Sequence, residues 1–221
     1  MENYSSSISS TSSVSINKVL RNTYLLLSMT LLFSALMAGV SMTVNVSPMV
    51  SMICSFGALG MIWLVLPRVA NSSAGIGVVF AITGLLGFGL GPLLNAYLSL
   101  GNGAELIATS LGGTGIIFLA LSAYVLTTKK DFSFMGGFLM VGLVLAIIAS
   151  LANIFLAIPA LSLAVSAAII MVMSGFILFD TSRIVHGGET NYIMATVSLY
   201  LSLYNIFVSL LQILGIFGSD D

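Results

Sequence analysis

The chain alternates between long apolar runs and short polar interruptions. Each run is close to 20 residues, the length that an α-helix needs to cross a hydrocarbon layer about 30 Å thick. Proline, glycine, asparagine and charged residues separate the runs from one another. The pattern predicts an all-α protein with seven transmembrane helices at about 22–44, 49–67, 74–96, 105–128, 132–156, 160–182 and 192–217.

The composition agrees with a polytopic membrane protein. Hydrophobic residues make up 58% of the 221 positions and charged residues 6%, whereas a soluble domain has about 25% charged residues. A net charge of −1 gives no indication of a nucleic-acid partner. A single cysteine (Cys54) and a single histidine (His186) exclude a disulfide framework and argue against a zinc site. We expect no metal and no cofactor, and Cys54 is interpreted as a small packed hydrophobic residue.

The distribution of basic residues predicts the orientation in the bilayer. All six fall at the N-terminus or in the second, fourth and sixth connections, and none falls in the odd-numbered connections. Basic residues concentrate on the cytoplasmic side of membrane proteins, so the N-terminus is predicted inside and the C-terminus outside. The six residues are Lys18, Arg21, Arg68, Lys129, Lys130 and Arg183.

The N-terminal segment differs from the rest of the chain. Residues 4–15, "YSSSISSTSSVS", contain eight serines and no charge. Such a segment buries too little apolar area to offset the entropy of ordering, so residues 1–17 are predicted to form a disordered cytoplasmic tail. Residues 18–221 then form one seven-helix transmembrane domain. The tail is either an ordinary frayed terminus or a handle for cytoplasmic machinery.

A line of polar residues runs along the seventh predicted helix. Steps of four and three residues keep such a line on one helix face. Unsatisfied amides and hydroxyls facing hydrocarbon cost several kcal/mol, so the line must face protein or water, and the seventh helix is predicted near the centre of the bundle. The line either packs helices together or borders a hydrated path for ions or protons. We call these residues the polar seam: Ser198, Ser202, Asn205, Ser209 and Gln212.

Closely spaced glycines mark the third predicted helix. Gly84, Gly87, Gly89 and Gly91 precede Pro92. Glycine lets membrane helices approach closely, and proline bends a helix. Two interpretations stay open: tight packing with a kink, or a broken helix that exposes backbone to a cavity. The segments "LGGTG" (111–115) and "GG" (136–137) are interpreted in the same way.

Asp180 is an ionisable residue near the C-terminal end of the sixth predicted helix. The helix dipole disfavours a carboxylate there, and Arg183 follows one turn later on the same face. The two residues either form a local ion pair or belong to a gate whose state depends on protonation of Asp180. His186, before two glycines, is interpreted as a loop residue after the helix stop. No nucleophile–base spacing or paired intramembrane carboxylates are present, so an enzyme is not expected.

Several long strings resemble the bacterial branch of the Bax inhibitor family. They are "KVLRNTYLLLSMTLLFSA", "LGPLLNAYLS", "SAYVLTTKKDFSFMGGFLM", "LANIFL" and "HGGETNYIMATVSLYLSLYNIFVSLL", and the resemblance extends from Lys18 to Gly215. It implies a fold in which six helices surround the seventh, in the bacterial inner membrane. It also implies association with FtsH, a membrane-anchored ATP-dependent metalloprotease, and slower degradation of other membrane proteins. Zinc and ATP would belong to that partner.

Other members of the family are pH-sensitive calcium leak channels, in which two aspartates share a proton. The resemblance carries the first aspartate to Asp180 and the second to Ser202. A serine holds no second negative charge and couples no second titration, so the chain departs from this pattern. A calcium or proton leak along the seventh helix, gated by Asp180, Arg183 and Ser202, is therefore the alternative hypothesis to a regulator.

Overall fold

Seven long helices dominate the structure, a computed structural model that describes the backbone of residues 2–218 and the side chains from Ile16 onward. Within that part of the chain every regular element is helical. The seven helices are apolar, with mean hydropathies of 1.8 to 2.6 over their most apolar windows, and long enough to cross a bilayer, which confirms the predicted spans. They are α1 (Glu2–Thr43), α2 (Pro48–Val69), α3 (Ala74–Leu98), α4 (Gly103–Thr128), α5 (Ser133–Leu156), α6 (Pro159–Val185) and α7 (Tyr192–Gly218).

The first helix begins at Glu2. The part of it whose side chains are described, Ile16–Thr43, is apolar and long enough to cross a bilayer. The side chains of residues 1–15 lie outside the described part of the chain. The predicted disorder of residues 1–17 therefore stays a prediction.

Two of the helices change conformation close to a proline. In α2, residues Met61–Val65 form a π-helical turn, and the Leu66 N–H donates to the carbonyl of Met61. This turn ends two residues before Pro67, which has no N–H to donate. Such local adjustments restore backbone hydrogen bonding in membranes. In α3, the α-helix ends at Gly89 and resumes at Gly91, before Pro92. This interruption lies where the glycines and the proline predicted a kink or a broken helix.

The chain forms two compact units. The first unit contains residues up to Pro92 together with Arg183–Tyr200, and the second unit contains Leu93–Ser182 together with residues from Leu201 onward. Each has its own buried apolar core. In the first unit the core includes Leu27, Leu66, Val79, Ile82, Ile193 and Leu199. In the second unit it includes Val125, Leu139, Ile177, Ile206 and Leu211.

The helices differ strongly in how much of their length is buried. Half of the most apolar window of α3 is buried, against 44% in α7 and 11% in α5. The outward-facing side chains of α5 are large and apolar, including Phe138, Ile154 and Phe155. In a bilayer such side chains contact acyl chains without cost. The protein therefore keeps its polar side chains largely inside and presents apolar surface to lipid.

Candidate functional site

A line of hydroxyl side chains runs along the buried face of α1. Thr23, Thr30, Ser34 and Ser41 are each at most 7% exposed. Their spacing of seven, four and seven residues keeps them on one helix face, and at 1.5 Å per residue they extend over about 27 Å. This line was not predicted from the sequence, although its spacing resembles that of the polar seam. The spacing of seven, four and seven residues can be read from the sequence itself.

The glycines of α3 pack against this face of α1. A Cβ atom on Gly87 would overlap the backbone and side chain of Ser34, and one on Gly91 would overlap Ser41. A Cβ atom on Gly84 would lie 2.7 Å from the ring of Phe33. Absence of a side chain at these positions therefore lets the two helices approach closely. For α3, the structure supports the packing interpretation of the glycines.

Tyr200 joins three helices in the first unit. Its side chain is 1% exposed, and its hydroxyl lies 2.6 Å from the Ser34 hydroxyl oxygen of α1. The same hydroxyl donates to the backbone carbonyl of Thr83 in α3, at 3.3 Å. This carbonyl lies near the glycines, where the backbone is accessible to a neighbouring helix. We call Ser34, Thr83 and Tyr200 the Tyr200 cluster.

A second contact ties α7 to α1 one turn earlier. The Thr196 hydroxyl lies 3.3 Å from the backbone carbonyl of Thr23 and 2.7 Å from that of Tyr192 in its own helix. Thr196 and Tyr200 are four residues apart and share a face of α7. This face is different from the predicted polar seam, because Tyr200 lies two residues, or about 200°, beyond Ser198.

The polar seam itself is buried unevenly. Ser202 and Ser209 are buried, Ser198 and Asn205 are half-buried, and Gln212 is exposed. The Gln212 carbonyl oxygen accepts a hydrogen bond from Ser166 of α6, at 2.9 Å. The Asn205 amide donates to the carbonyl of Leu201 in its own helix. These two amides therefore make direct protein contacts in the second unit.

Asp180 lies among buried hydroxyl residues of α6. It is 8% exposed, and the following Thr181 and Ser182 are fully buried. The Ser182 hydroxyl accepts a hydrogen bond from the Phe132 N–H at 2.9 Å and lies 3.4 Å from the carbonyl of Lys130. Ser182 thus fastens the connection between α4 and α5 to the end of α6. This role was not predicted, because a lone serine gives no signal for a contact 50 residues away.

Arg183 has an ionic partner that was not predicted from the sequence. Its guanidinium lies 3.5 Å from the Glu189 carboxylate and donates to the carbonyl of Gly188 at 2.9 Å. Gly187 has a φ of +74°, and the Gly188 N–H returns to the carbonyl of Arg183 at 2.8 Å. This is the glycine stop predicted after His186, which is exposed. The ion pair holds the connection between α6 and α7 in a compact turn.

Asn191 fastens this connection to the one between α2 and α3. Its side-chain amide donates to the carbonyl of Ala70 at 3.0 Å and to the side-chain oxygen of Asn71 at 2.8 Å. Its own side-chain oxygen accepts from the N–H groups of Ile193 and Met194, the first turn of α7. Asn191 therefore caps a helix and crosslinks two connections at once. We call this arrangement the Asn191 clasp.

The clasp continues into the ion pair of Arg183. The Asn191 N–H donates to one Glu189 carboxylate oxygen at 2.9 Å, while the other faces Arg183. The Arg183 guanidinium is thus linked through Glu189 to the neutral amides of the clasp. Both connections belong to the first unit, so this network stays within a single compact body.

An open groove lies beside the Asn191 clasp. Its volume is about 460 Å³, within the range of ligand-binding clefts. The lining combines neutral polar side chains with apolar ones, and none of the lining residues is ionisable except Tyr192. The lining residues are Ala70, Asn71, Ser72, Ser73, Ile76, Thr190, Asn191, Tyr192 and Ile193.

The described residues give little support for metal binding or for chemistry at the single cysteine. Among residues 16–218, whose side chains are described, no three His, Cys, Asp or Glu side chains are grouped so that they could hold a metal ion. Cys54 is buried, as expected for a packed residue. The clasp, the groove and the buried hydroxyls are suited to hydrogen bonding with neutral groups, in a protein whose surface is otherwise apolar.

Comparison with known proteins gives close relatives along nearly the whole chain. A family model described as inhibitor of apoptosis-promoting Bax1 matches residues 16–219. The "Modulator of FtsH protease YccA" of Escherichia coli K12 is 58% identical over 218 residues, 98% of each chain. An uncharacterized membrane protein of Vibrio cholerae is 53% identical over 205 residues, 93% of this chain and 92% of that one. The relative from E. coli O6:H1 is named an inner membrane protein. With its seven apolar helices, this chain is a multi-pass protein of the bacterial inner membrane.

Proposed function

Because the chain belongs to the family described as inhibitor of apoptosis-promoting Bax1, we propose that it is a non-enzymatic regulator of the FtsH protease in the inner membrane. The observation that carries this proposal is the 58% identity, over 98% of both chains, to the protein named modulator of FtsH protease. The predicted association with FtsH and slower degradation of its membrane substrates follow from that similarity.

The association would take place between membrane helices. Helices in lipid associate through packing and hydrogen bonds. The hydrophobic effect does not drive this association, because acyl chains are as apolar as the helix surfaces. The least buried helices are α5 and α2, with 11% and 17% of their most apolar windows buried. Either offers a long apolar face to a transmembrane helix of the protease.

The topology in this proposal follows the basic residues. The N-terminus and the connections α2–α3, α4–α5 and α6–α7 lie in the cytoplasm, and the C-terminus lies outside. The proposal also places the seventh helix at the centre, as the family resemblance implies; the buried share of its most apolar window, 44%, comes after the 50% of α3. The tail of residues 1–17 is then on the same side as the ATPase of the protease, as a handle that the protease can grip.

Crosslinking in native membranes tests the proposal. A photoreactive residue replaces Phe138 on the exposed face of α5 or Phe56 on that of α2, with buried Leu139 as the matched internal position. We expect FtsH among the products of at least one exposed position and not of position 139. The half-life of a membrane substrate of FtsH should lengthen when this protein is overproduced. If neither position captures FtsH and the half-life is unchanged in membranes with folded protein, the proposal fails.

The leak pathway is a second candidate because Asp180, an ionisable residue within a membrane helix, is 8% exposed. Liposomes containing the pure protein would report calcium or proton flux. The pathway predicts that Asp180→Asn changes the flux and that Ser202→Ala alters its pH dependence. A flux that is absent, or indifferent to both substitutions, removes this candidate.

A further inference from the structure

The groove beside the Asn191 clasp lies at the depth where the membrane spans end. It is lined by residues 70–73, which connect α2 to α3, and by residues 190 and 191, which precede α7. Ile76 and Ile193, in the first turns of α3 and α7, belong to the same lining. In a bilayer, the boundary between apolar spans and polar connections lies among the phospholipid headgroups. The ligands that reach this groove most readily are therefore lipids.

The base of the groove is formed by close packing of two helix starts. A Cβ atom on Gly75 of α3 would lie 2.7 Å from the end of the Ile193 side chain in α7 and 2.8 Å from the carbonyl oxygen of Val69. The Asn191 amide holds the two connections together through Ala70 and Asn71. All of these residues belong to the first compact unit. The groove is thus built before a ligand enters, which lowers the entropic cost of binding.

Polar and apolar residues of the lining differ in exposure. Ala70 and Ile193 are 6% and 2% exposed and lie at the base. Asn71, Ser73 and Thr190 are exposed. The Ser73 side chain makes no cap hydrogen bond to the start of α3, so its hydroxyl can bind a ligand. A ligand entering the groove therefore meets amide and hydroxyl groups first and apolar side chains below them.

The charges around the groove distinguish between lipid headgroups. The ammonium group of phosphatidylethanolamine would need a carboxylate, and no carboxylate lines the groove. Glu189, next to Thr190 in sequence, is already bound to Arg183 and to the Asn191 N–H. The hydroxyls of a glycerol headgroup are neutral, and they can both donate to and accept from amides and hydroxyls. A lipid phosphate beside the groove is favoured by the positive ends of the α3 and α7 dipoles.

We propose that the groove is a binding site for phosphatidylglycerol. The glycerol headgroup lies in the groove and hydrogen-bonds to Asn71, Ser73 and Thr190, while the phosphate stays at the membrane surface. The lipid carbons nearest the headgroup contact Ile76, which is 37% exposed. A lipid that binds both connections stabilises the folded arrangement of the clasp by mass action. This role is additional to regulation of FtsH and does not depend on it.

Lipid retention by the pure protein tests the proposal. The full chain is placed in nanodiscs of phosphatidylethanolamine that contain a minor share of a second lipid, and the lipids retained after release are counted by native mass spectrometry. The second lipid is phosphatidylglycerol or phosphatidylethanol, which has the same single negative charge and no headgroup hydroxyl. We expect about fivefold greater retention of phosphatidylglycerol, from hydrogen bonds that phosphatidylethanol cannot make. Equal retention overturns the proposal, because charge alone would then account for binding.

Two double variants locate the preference in the groove. Ser73→Ala with Thr190→Val removes two hydroxyls of the lining and should lower retention of phosphatidylglycerol to that of phosphatidylethanol. The matched control is Thr43→Val with Ser99→Ala, which removes exposed hydroxyls at the other ends of α1 and α3. The control should keep the full preference. The two single variants of the lining keep one hydroxyl each and should give intermediate retention. A preference that survives the loss of both hydroxyls, or that the control also loses, contradicts binding in the groove.

A soluble competitor separates a lipid from a free polyol phosphate. Glycerol 3-phosphate carries the same hydroxyl and phosphate chemistry but has no acyl carbons to contact Ile76. At millimolar concentration it should leave the retained phosphatidylglycerol in place. Displacement would show that the groove binds a soluble ligand, and preferential retention of phosphatidylethanolamine would show that the headgroup is a different one. Either result overturns the assignment.

Discussion

The glycines of α3 and α4 look alike in sequence but have different surroundings. Both helices carry several glycines within a short stretch, and the same two interpretations, tight packing with a kink or a broken helix at a cavity, were open for both. In α3, Gly87 faces the backbone of Ser34 so closely that no side chain fits. In the "LGGTG" segment of α4, a Cβ atom on Gly112 or Gly115 would have no atom of the described residues within 4 Å, and of these three glycines only Gly113 meets a neighbour, Leu210, at 3.2 Å.

The packing interpretation of "LGGTG" and "GG" therefore applies to only part of each segment. Gly112, Gly115 and Gly137 have open space where a Cβ atom would stand among the described residues, whereas Gly136 faces the ring of Phe179 at 2.9 Å. Glycine permits close approach but does not cause it. The neighbouring helix must present small side chains in register, as α1 does with its line of hydroxyls. This difference predicts that replacing glycine by alanine lowers the unfolding free energy at Gly87 in α3 and raises it at Gly112 in α4.

The largest effect is expected for Gly87→Ala. The added methyl group would overlap the Ser34 backbone, which a side-chain rotation cannot relieve. Overpacking of this kind costs about 3 kcal/mol of unfolding free energy. Unfolding in mixed micelles, followed by circular dichroism during titration with a denaturing detergent, measures the change. A variant as stable as the parent would show that α1 and α3 are not in close contact.

Gly175→Ala should have an intermediate effect. The atom nearest to the added methyl group is the end of the Leu139 side chain, which can change rotamer. We expect a loss of about 1 kcal/mol in the same unfolding titration. The double variant with Leu139→Ala should lose less stability than the sum of the two single losses, because the second substitution removes the overlapping atoms. A double variant no better than the sum of the two singles would contradict this explanation.

Tyr200→Phe should have a smaller effect still. The substitution removes the hydroxyl that contacts Ser34 and Thr83 and keeps the ring. Hydrogen bonds between membrane helices contribute about 0.6 kcal/mol each. A double-mutant cycle with Ser34→Ala isolates the contact between the two hydroxyls. A coupling energy of zero would indicate that the Tyr200 hydroxyl contributes nothing through Ser34.

The smallest effect, with the opposite sign, is expected for Gly112→Ala. Alanine has a higher helix propensity than glycine, and no described atom lies within 4 Å of the new methyl group. The unfolding free energy should rise by about 0.5 kcal/mol. A destabilised variant would show that another surface packs against this part of α4 in the membrane. Gly115→Ala is the matched second position.

The positions of the seven helices were predictable because hydropathy acts locally. An apolar run of about 20 residues crosses the bilayer whatever its neighbours are. The sixth helix nevertheless ends at Val185, a little later than predicted, because Arg183 finds a partner in Glu189 and the turn at Gly187 closes the helix. Such ends depend on contacts outside the helix and are less accessible to sequence reasoning.

The candidate site was less predictable than the fold. The contact of Asn191 with Ala70 joins residues 121 positions apart, and the contact of Tyr200 with Ser34 joins residues 166 apart. Periodicity shows that a residue lies on a polar face, but it does not identify the helix that the face meets. The line of hydroxyls on α1 was recognisable from its spacing and was missed because large apolar residues surround it.

The π-helical turn of α2 allows this helix to differ in length by one residue. It accommodates one residue more than an α-helical turn would, between Gly60 and Leu66. Deleting a single residue there should convert the turn to regular α-helix without rotating Ala58 or Leu66 away from their buried environments. A deletion elsewhere in the same helix would turn every following side chain by about 100°. In this segment, evolution can gain or lose a residue and keep the register of the remaining membrane helix.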